Sequence, residues 1–79
     1  MNLEELRLKI DEVDDKLVKL VAERMDVAAE IAEYKKQNGV PVLNSKRERE
    51  KLADVASKSR DDIKGYMQSL YSLIFDLRR

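Results

Sequence analysis

The 79-residue sequence contains no cysteine, no histidine and no tryptophan, and it has only two glycines and one proline. Without cysteine there can be no disulfide framework, no redox pair and no thiolate nucleophile. The additional absence of histidine excludes the usual zinc sites and a Ser-His-Asp triad. We therefore expect no metal site, and we expect any chemistry to depend on other side chains.

The sequence also lacks a surplus of charge and a long apolar run. Its 16 Lys and Arg residues balance its 16 Asp and Glu residues, whereas a protein that binds the phosphate backbone needs a basic surplus. No apolar stretch approaches the roughly 18 residues of a membrane span, and no leader peptide is recognisable. These absences predict a cytoplasmic protein that binds neither nucleic acid nor a membrane.

What the sequence does contain is a helical repeat of apolar residues. The spacing alternates between three and four residues, which is typical of an amphipathic helix. Asn2 and Glu5 form a candidate N-terminal cap, and Asn38, Gly39 and Pro41 form a stop signal. The pattern predicts a first helix over about Leu3–Gln37, roughly 50 Å long at 1.5 Å per residue. Its apolar positions include Leu3, Leu6, Ile10, Val13, Leu17, Leu20, Val27 and Ile31.

Two further helices are predicted after this stop. Asn44-Ser45 opens the second, which runs over about Ser45–Ala56, and Ser45 with Glu48 resembles a capping box. Residues 57–60 are predicted to connect it to the third helix.

The third helix is predicted to begin with a cap formed by Ser59 and Asp62 and to run towards Leu77. Its aromatic and sulfur-containing side chains occur at helical spacing, which predicts core packing rather than a stacking platform. These side chains are Tyr66, Met67, Tyr71 and Phe75.

The fold class predicted from these patterns is all-α, with a long, a short and a medium helix in one domain spanning residues 1–79. A first helix of about 50 Å is too long to bury its apolar face against the two that follow. The exposed remainder would promote aggregation in a monomer. We therefore expect a homodimer in which two long helices share one interface.

Several cations occur where this helix should be apolar. In a heptad frame that starts at Leu3, Arg24 occupies a position otherwise held by aliphatic residues. A lone arginine there most simply reaches out to water, but Lys35, eleven residues later, projects within about 20° of it. Arg7 lies near the same face but about 42 Å from Lys35 along a straight helix. It can meet Lys35 only in an antiparallel partner chain.

Arg47 and Glu48, at the start of the second helix, can fold back towards the end of the first. The resulting pocket would hold up to four cations and one acid, which suits a small dianion such as a dicarboxylate. No serine has an obvious basic partner, so nucleophilic catalysis is not expected. Catalysis here would depend on positioning and electrostatics.

Four segments of the sequence resemble the all-helical chorismate mutases. They occur in family order and with family spacing, and they cover essentially the whole chain. The segments are Leu6–Asp14, Leu20–Arg24, Ile31–Lys35, and Pro41-Val42 through Arg47–Glu50. The resemblance implies an intertwined helical homodimer, an isomerase that converts chorismate to prephenate in phenylalanine and tyrosine biosynthesis without a cofactor.

The resemblance also implies roles for individual residues. Lys35 would donate to the ether oxygen of chorismate, and Arg24 would bind a substrate carboxylate. Arg7 would reach into the active site of the partner chain and bind a carboxylate there. Arg47 and Glu48 would line the ring side, with Glu48 near the substrate hydroxyl or the ether oxygen. The catalytic residues would be Lys35 and Glu48.

The sequence departs from the family pattern at three places. Asn44 stands where many members have an aspartate that contacts the ring hydroxyl, and an amide can still donate and accept there. Arg78 stands where members have a small polar residue, and the sequence reaches Arg79 before the family's glutamine. The resemblance leaves open a free-standing enzyme and a domain of a bifunctional protein, such as one fused to prephenate dehydratase.

Two alternatives to a chorismate mutase remain open at this point. An isochorismate-pyruvate lyase is similar in fold and in its pocket cations. A non-catalytic helical dimerisation or regulatory module would leave Arg24 and Lys35 as solvated charges and would bind no dianion.

Overall fold

The computed structural model describes residues 1–77, and these residues contain three α-helices and no strand. Helix α1 spans Leu3–Gln37, α2 spans Ser45–Lys58, and α3 spans Lys64–Leu77 after a single 3-10 turn at Asp61–Ile63. The all-α prediction is confirmed, although α2 and α3 have the same length of 14 residues rather than being short and medium. Residues 78–79, and with them the Arg78 departure, lie outside the described residues.

The N-terminal unit, Met1–Val42, consists of α1 and the turn that follows it. The predicted bounds and caps of α1 are confirmed. Asn2 accepts a hydrogen bond from the Glu5 backbone N–H at 2.9 Å, and Asn38 is the C-cap before Gly39, whose φ is +67°. No residue of α1 is buried. The 35 residues extend for about 52 Å at the standard helical rise.

The C-terminal unit, Leu43–Arg79, contains α2 and α3, which pack against each other. Among its described residues, Val55 of α2 and Phe75 of α3 are the buried apolar ones, at 8% and 6% exposure. The rings of Tyr71 and Phe75 meet edge to face, with centroids 6.2 Å apart. Of the four predicted core residues in α3, Phe75 is buried and Met67 and Tyr71 are half-buried, but Tyr66 is 78% exposed, so its prediction is wrong.

The predicted start of α2 at Ser45 is confirmed, but the residue that caps it is one position earlier than predicted. The side chain that caps it is Asn44, whose Oδ1 accepts from the Arg47 backbone N–H at 3.0 Å. Asn44 and Ser45 can both serve as caps, and the first of the two takes the role. The predicted capping box of Ser45 and Glu48 is therefore wrong.

The predicted connection between α2 and α3 is also wrong. Helix α2 continues to Lys58 instead of ending at Ala56, and Ser59 is its C-cap. The Ser59 hydroxyl donates to the Val55 carbonyl at 2.7 Å, so it faces α2 and does not cap the next helix. The 3-10 turn begins after Arg60 without a side-chain cap. Among the described residues, no helix has the combination of length and apolarity needed to cross a membrane.

Candidate active site

Four residues of α1 form a half-buried stripe, and every other residue of this helix is exposed. At 100° per residue they fall within an arc of about 80°, so they share one face. The two cations stand at the ends of the stripe, with small side chains between them. The stripe consists of Arg24, Ala28, Ala32 and Lys35.

The two cations of this stripe lie in the middle of the apolar face of α1. Leu6, Leu17 and Ile31 project within about 40° of the directions of Arg24 and Lys35, and all three are exposed. The two cations are about 16 Å apart along the axis. The expectation that Arg24 and Lys35 share a face within an apolar surface is thus met by the geometry of α1.

Lys35 makes a specific contact with the turn that follows α1. Its Nζ donates to the backbone carbonyl of Val42, with the two atoms 3.4 Å apart. This separation exceeds the roughly 2.7–3.2 Å typical of N–H···O hydrogen bonds, so the bond is a weak one. An ammonium has three N–H donors, so two remain for a ligand.

Arg7 is exposed and lies 28 residues before Lys35 on the same uninterrupted helix. That separation corresponds to about 42 Å along the axis. The N-terminal unit therefore does not bring Arg7 together with Lys35, as the sequence analysis anticipates for a single chain.

The remaining candidates lie at the start of α2. The side-chain oxygen of Asn44 accepts the capping hydrogen bond at the start of α2. The Asn44 backbone carbonyl accepts from the Glu48 N–H at 3.1 Å. The Asn44 amide group retains its NH2 donors for another partner. Glu48 is half-buried and Arg47 is exposed, and the carboxylate of Glu48 lies in the first helical turn, where the helix dipole favours negative charge.

A second cluster of charges lies further along α2. The Asp54 carboxylate accepts from Lys58 Nζ at 3.0 Å and from Lys51 Nζ at 3.4 Å. The hydrogen bond from Lys58 is the largest of the effects that lower the pKa of Asp54 below its usual value, and Lys51 adds to it. These pairs lie within α2, so we assign them to helix stability.

The residues that sequence reasoning missed are Ala28, Ala32 and Val42. The two alanines could have been identified from the sequence. They lie four residues apart between the cations, where small side chains leave space. The Val42 carbonyl is a backbone group, and its only sequence signal is the turn chemistry of Gly39 and Pro41. Among the described residues, no group of three or more Asp or Glu could hold a metal ion.

Comparisons with known proteins place the chain in a family. No solved structure gives a significant match to the chain. A curated relative, a chorismate mutase from Methanocaldococcus jannaschii, is 49% identical over 47 residues, which cover 60% of this chain and 48% of the relative. The aligned region thus spans about half the length of that relative. The family model of chorismate mutase type II matches residues 6–79, and the chain therefore belongs to this family.

Proposed function

We propose that the chain is a chorismate mutase, an isomerase that converts chorismate to prephenate by an intramolecular [3,3] rearrangement. The observation that supports this proposal most strongly is the family match over residues 6–79. In the reaction the ether C–O bond breaks while a C–C bond forms, so no atom is gained or lost. The proposal includes no cofactor, because the rearrangement needs no group transfer or redox step.

In this proposal, placed charges supply the catalysis. Negative charge develops on the ether oxygen as the C–O bond breaks, and a fixed cation beside it stabilises the transition state more than the ground state. We assign that role to Lys35, with Arg24 binding a substrate carboxylate. The half-buried positions of both cations on one face of α1 support this assignment.

We further propose that the residues at the start of α2 act on the same substrate. Arg47 would bind on the ring side, and Glu48 would act catalytically near the substrate hydroxyl or the ether oxygen. Asn44 would donate through its NH2 group, since its oxygen caps α2. This assignment treats residues 1–79 as one catalytic domain, as the sequence analysis predicts.

The proposal also includes a homodimer in which Arg7 serves the active site of the partner. The exposed apolar face of α1, which has no buried residue, supports a shared interface between two copies. The distance of about 42 Å between Arg7 and Lys35 along α1 supports the exchange of Arg7 between chains. A cytoplasmic location stays a prediction from the composition.

Product analysis tests the proposed activity directly. The protein is incubated separately with chorismate and with isochorismate, and the products are identified by mass spectrometry and NMR. We expect prephenate from chorismate. Release of pyruvate from isochorismate alone would indicate the lyase, and no turnover of either compound would indicate a non-catalytic module.

Mixing two inactive variants tests the shared active site. Arg7→Ala and Arg24→Ala are each expected to be inactive as homodimers. In a mixed dimer, one active site regains both arginines and the other loses both. Equal mixing after unfolding and refolding should restore about a quarter of the wild-type activity, because half of the dimers are mixed and each has one intact site. Mixed dimers without activity would contradict the exchange of Arg7.

A further inference from the structure

The turn at the end of α1 is a Schellman motif. The Gly39 N–H donates to the Lys36 carbonyl at 3.5 Å, and the Val40 N–H donates to the Lys35 carbonyl at 2.8 Å. These are the paired bonds that define the motif. Asn38 reinforces the turn, since its backbone N–H and its side-chain Nδ2 both donate to the Tyr34 carbonyl, at 3.1 and 2.8 Å.

Gly39 is needed in this turn because of its backbone conformation. Its φ of +67° lies in the left-handed region, which residues with a Cβ rarely adopt. A Cβ built at Gly39 would meet no atom within 4 Å. A substitution there therefore changes the preference of the backbone and creates no steric clash, which makes Gly39 a clean point at which to disturb the turn.

The turn brings the chain after α1 back to the side chain of Lys35. Val42 follows Gly39 by three residues, and its carbonyl lies 3.4 Å from Lys35 Nζ. Lys35 is half-buried, whereas the neighbouring Lys36 is exposed. The turn thus makes two hydrogen bonds with Lys35. The Val40 N–H donates to the Lys35 backbone carbonyl, and the Lys35 ammonium donates to the Val42 carbonyl.

We propose that residues 38–42 form a positioning element that orients the Lys35 ammonium for catalysis through the Val42 carbonyl. The inference rests on the proposed function, in which Lys35 acts on the ether oxygen. One of its three N–H groups is directed at Val42, and the other two remain for the substrate.

The benefit of this arrangement is preorganisation. A free lysine side chain samples many rotamers and loses that freedom when it is fixed. A side chain that is already restrained before the substrate binds loses less at that moment. It also presents its charge where the transition state develops charge, without reorganising. Disturbing the turn should therefore lower kcat more than it raises KM.

Substitution of the two glycines tests this positioning role. Gly39→Val disfavours the left-handed conformation, whereas Gly39→Asn retains it, because asparagine tolerates that region. Gly65→Val is a matched control, since Gly65 lies in α3 without a positive φ and likewise has no atom within 4 Å of a built Cβ. If Gly39→Val does not fold, Gly39→Ala replaces it as the milder change.

Two measurements are made on each full-length variant. The first is the ¹H–¹⁵N NMR signal of the Lys35 ammonium in the substrate-free protein, assigned by its loss in Lys35→Arg. The second is kcat and KM with chorismate. In Gly39→Val we expect the ammonium signal to broaden or disappear and kcat to fall about tenfold, as for the loss of one hydrogen bond to a charged group, with KM nearly unchanged.

Gly39→Asn and Gly65→Val should both retain the signal and the wild-type kcat. An unchanged signal and kcat in Gly39→Val would overturn the proposal, as would an equal loss in Gly65→Val. If the wild-type protein does not convert chorismate, the proposed function fails. The NMR comparison still decides in that case whether the turn holds Lys35, so the two failures are distinguishable.

Discussion

Helix α1 leaves all of its apolar side chains at least partly exposed, whereas the α2–α3 pair buries two of its own. The pair buries Val55 and Phe75 and adds an edge-to-face contact between Tyr71 and Phe75. Helix α1 is more than twice as long as either of these helices and buries none of its residues. Within the N-terminal unit, caps and local hydrogen bonds hold α1, whereas most helical stability in proteins comes from the packing of an amphipathic face. The difference supports the proposed interface between two copies of α1.

The largest effect is expected from a charge placed on the apolar face of α1. Leu17 is 51% exposed within one chain, and the proposed dimer buries it twice. Leu17→Asp should raise the dimer dissociation constant on the order of 10³-fold, because burial of each leucine contributes about 1.5–3 kcal/mol. Sedimentation equilibrium measures this constant. Lys19→Asp, which places the same charge on the opposite face, should leave it nearly unchanged, and equal effects of both variants would contradict the proposed interface.

The next largest effect is expected from the loss of the Lys35 ammonium. Lys35→Ala should lower kcat/KM about 10²- to 10³-fold, as for removal of one preorganised donor to a developing charge. The protein should remain folded, since Lys35 is only half-buried. Steady-state assays with chorismate and circular dichroism check these two expectations. Lys36→Ala removes an adjacent, exposed ammonium and should retain the wild-type rate, so a full rate in Lys35→Ala would refute the assignment.

Phe75→Ala should weaken the core between α2 and α3. Phe75 is 6% exposed and contacts the ring of Tyr71, so its truncation should lower the free energy of unfolding by about 3 kcal/mol. Urea denaturation at one fixed protein concentration measures the loss, because the proposed dimerisation would make stability depend on concentration. Gln68→Ala, at an exposed position of α3, should change it by less than about 0.5 kcal/mol. A comparable loss in both variants would contradict a core centred on Phe75.

A smaller effect is expected at the start of α2. Asn44→Ala removes the hydrogen bond to the Arg47 N–H and should cost about 1 kcal/mol of stability. Asn44→Asp retains an acceptor there and adds a negative charge that the helix dipole favours. The thermal unfolding temperature of Asn44→Asp should therefore equal or exceed that of the wild type, and that of Asn44→Ala should be lower. If all three proteins unfold alike, the cap does not contribute to stability.

The smallest effect concerns the acid sensitivity of α2. The folded state lowers the pKa of Asp54 below its ordinary value of 3.8, chiefly through the hydrogen bond from Lys58. The resulting stabilisation is complete above the unfolded pKa and is lost as the pH falls through the lower folded pKa. Asp54→Asn should therefore be less stable than the wild type at neutral pH, and this difference should vanish in strong acid. Thermal unfolding from pH 2 to 7 measures it, and a difference independent of pH would contradict the ionic origin.

The features that could be predicted from the sequence are those fixed by local chemistry. The bounds of α1 follow from Asn2 at one end and from Asn38 and Gly39 at the other, since each residue provides a specific terminal bond or backbone conformation. The shared face of Arg24 and Lys35 follows from helical periodicity alone.

The wrong predictions occur where two residues can fill the same role, or where one residue can make either of two hydrogen bonds. Asn44 and Ser45 can both cap α2, and Ser59 can either cap a following helix or bond back to Val55, as it does. Tyr66 has the helical spacing of a core residue but lies on the face of α3 that is not packed. Gly39 and Pro41 predict that the chain turns after α1, but they do not specify which carbonyl meets the Lys35 ammonium.

Helix α1 runs without interruption from Arg24 to Lys35. This continuity limits changes in the number of residues between the two cations. Any helix-forming side chain can replace an outward residue without moving either cation. A single-residue insertion or deletion between them would rotate one cation by about 100° relative to the other and remove it from the common face. Substitutions at the outward positions of this segment therefore preserve the common face of Arg24 and Lys35, whereas a change of its length by one residue does not.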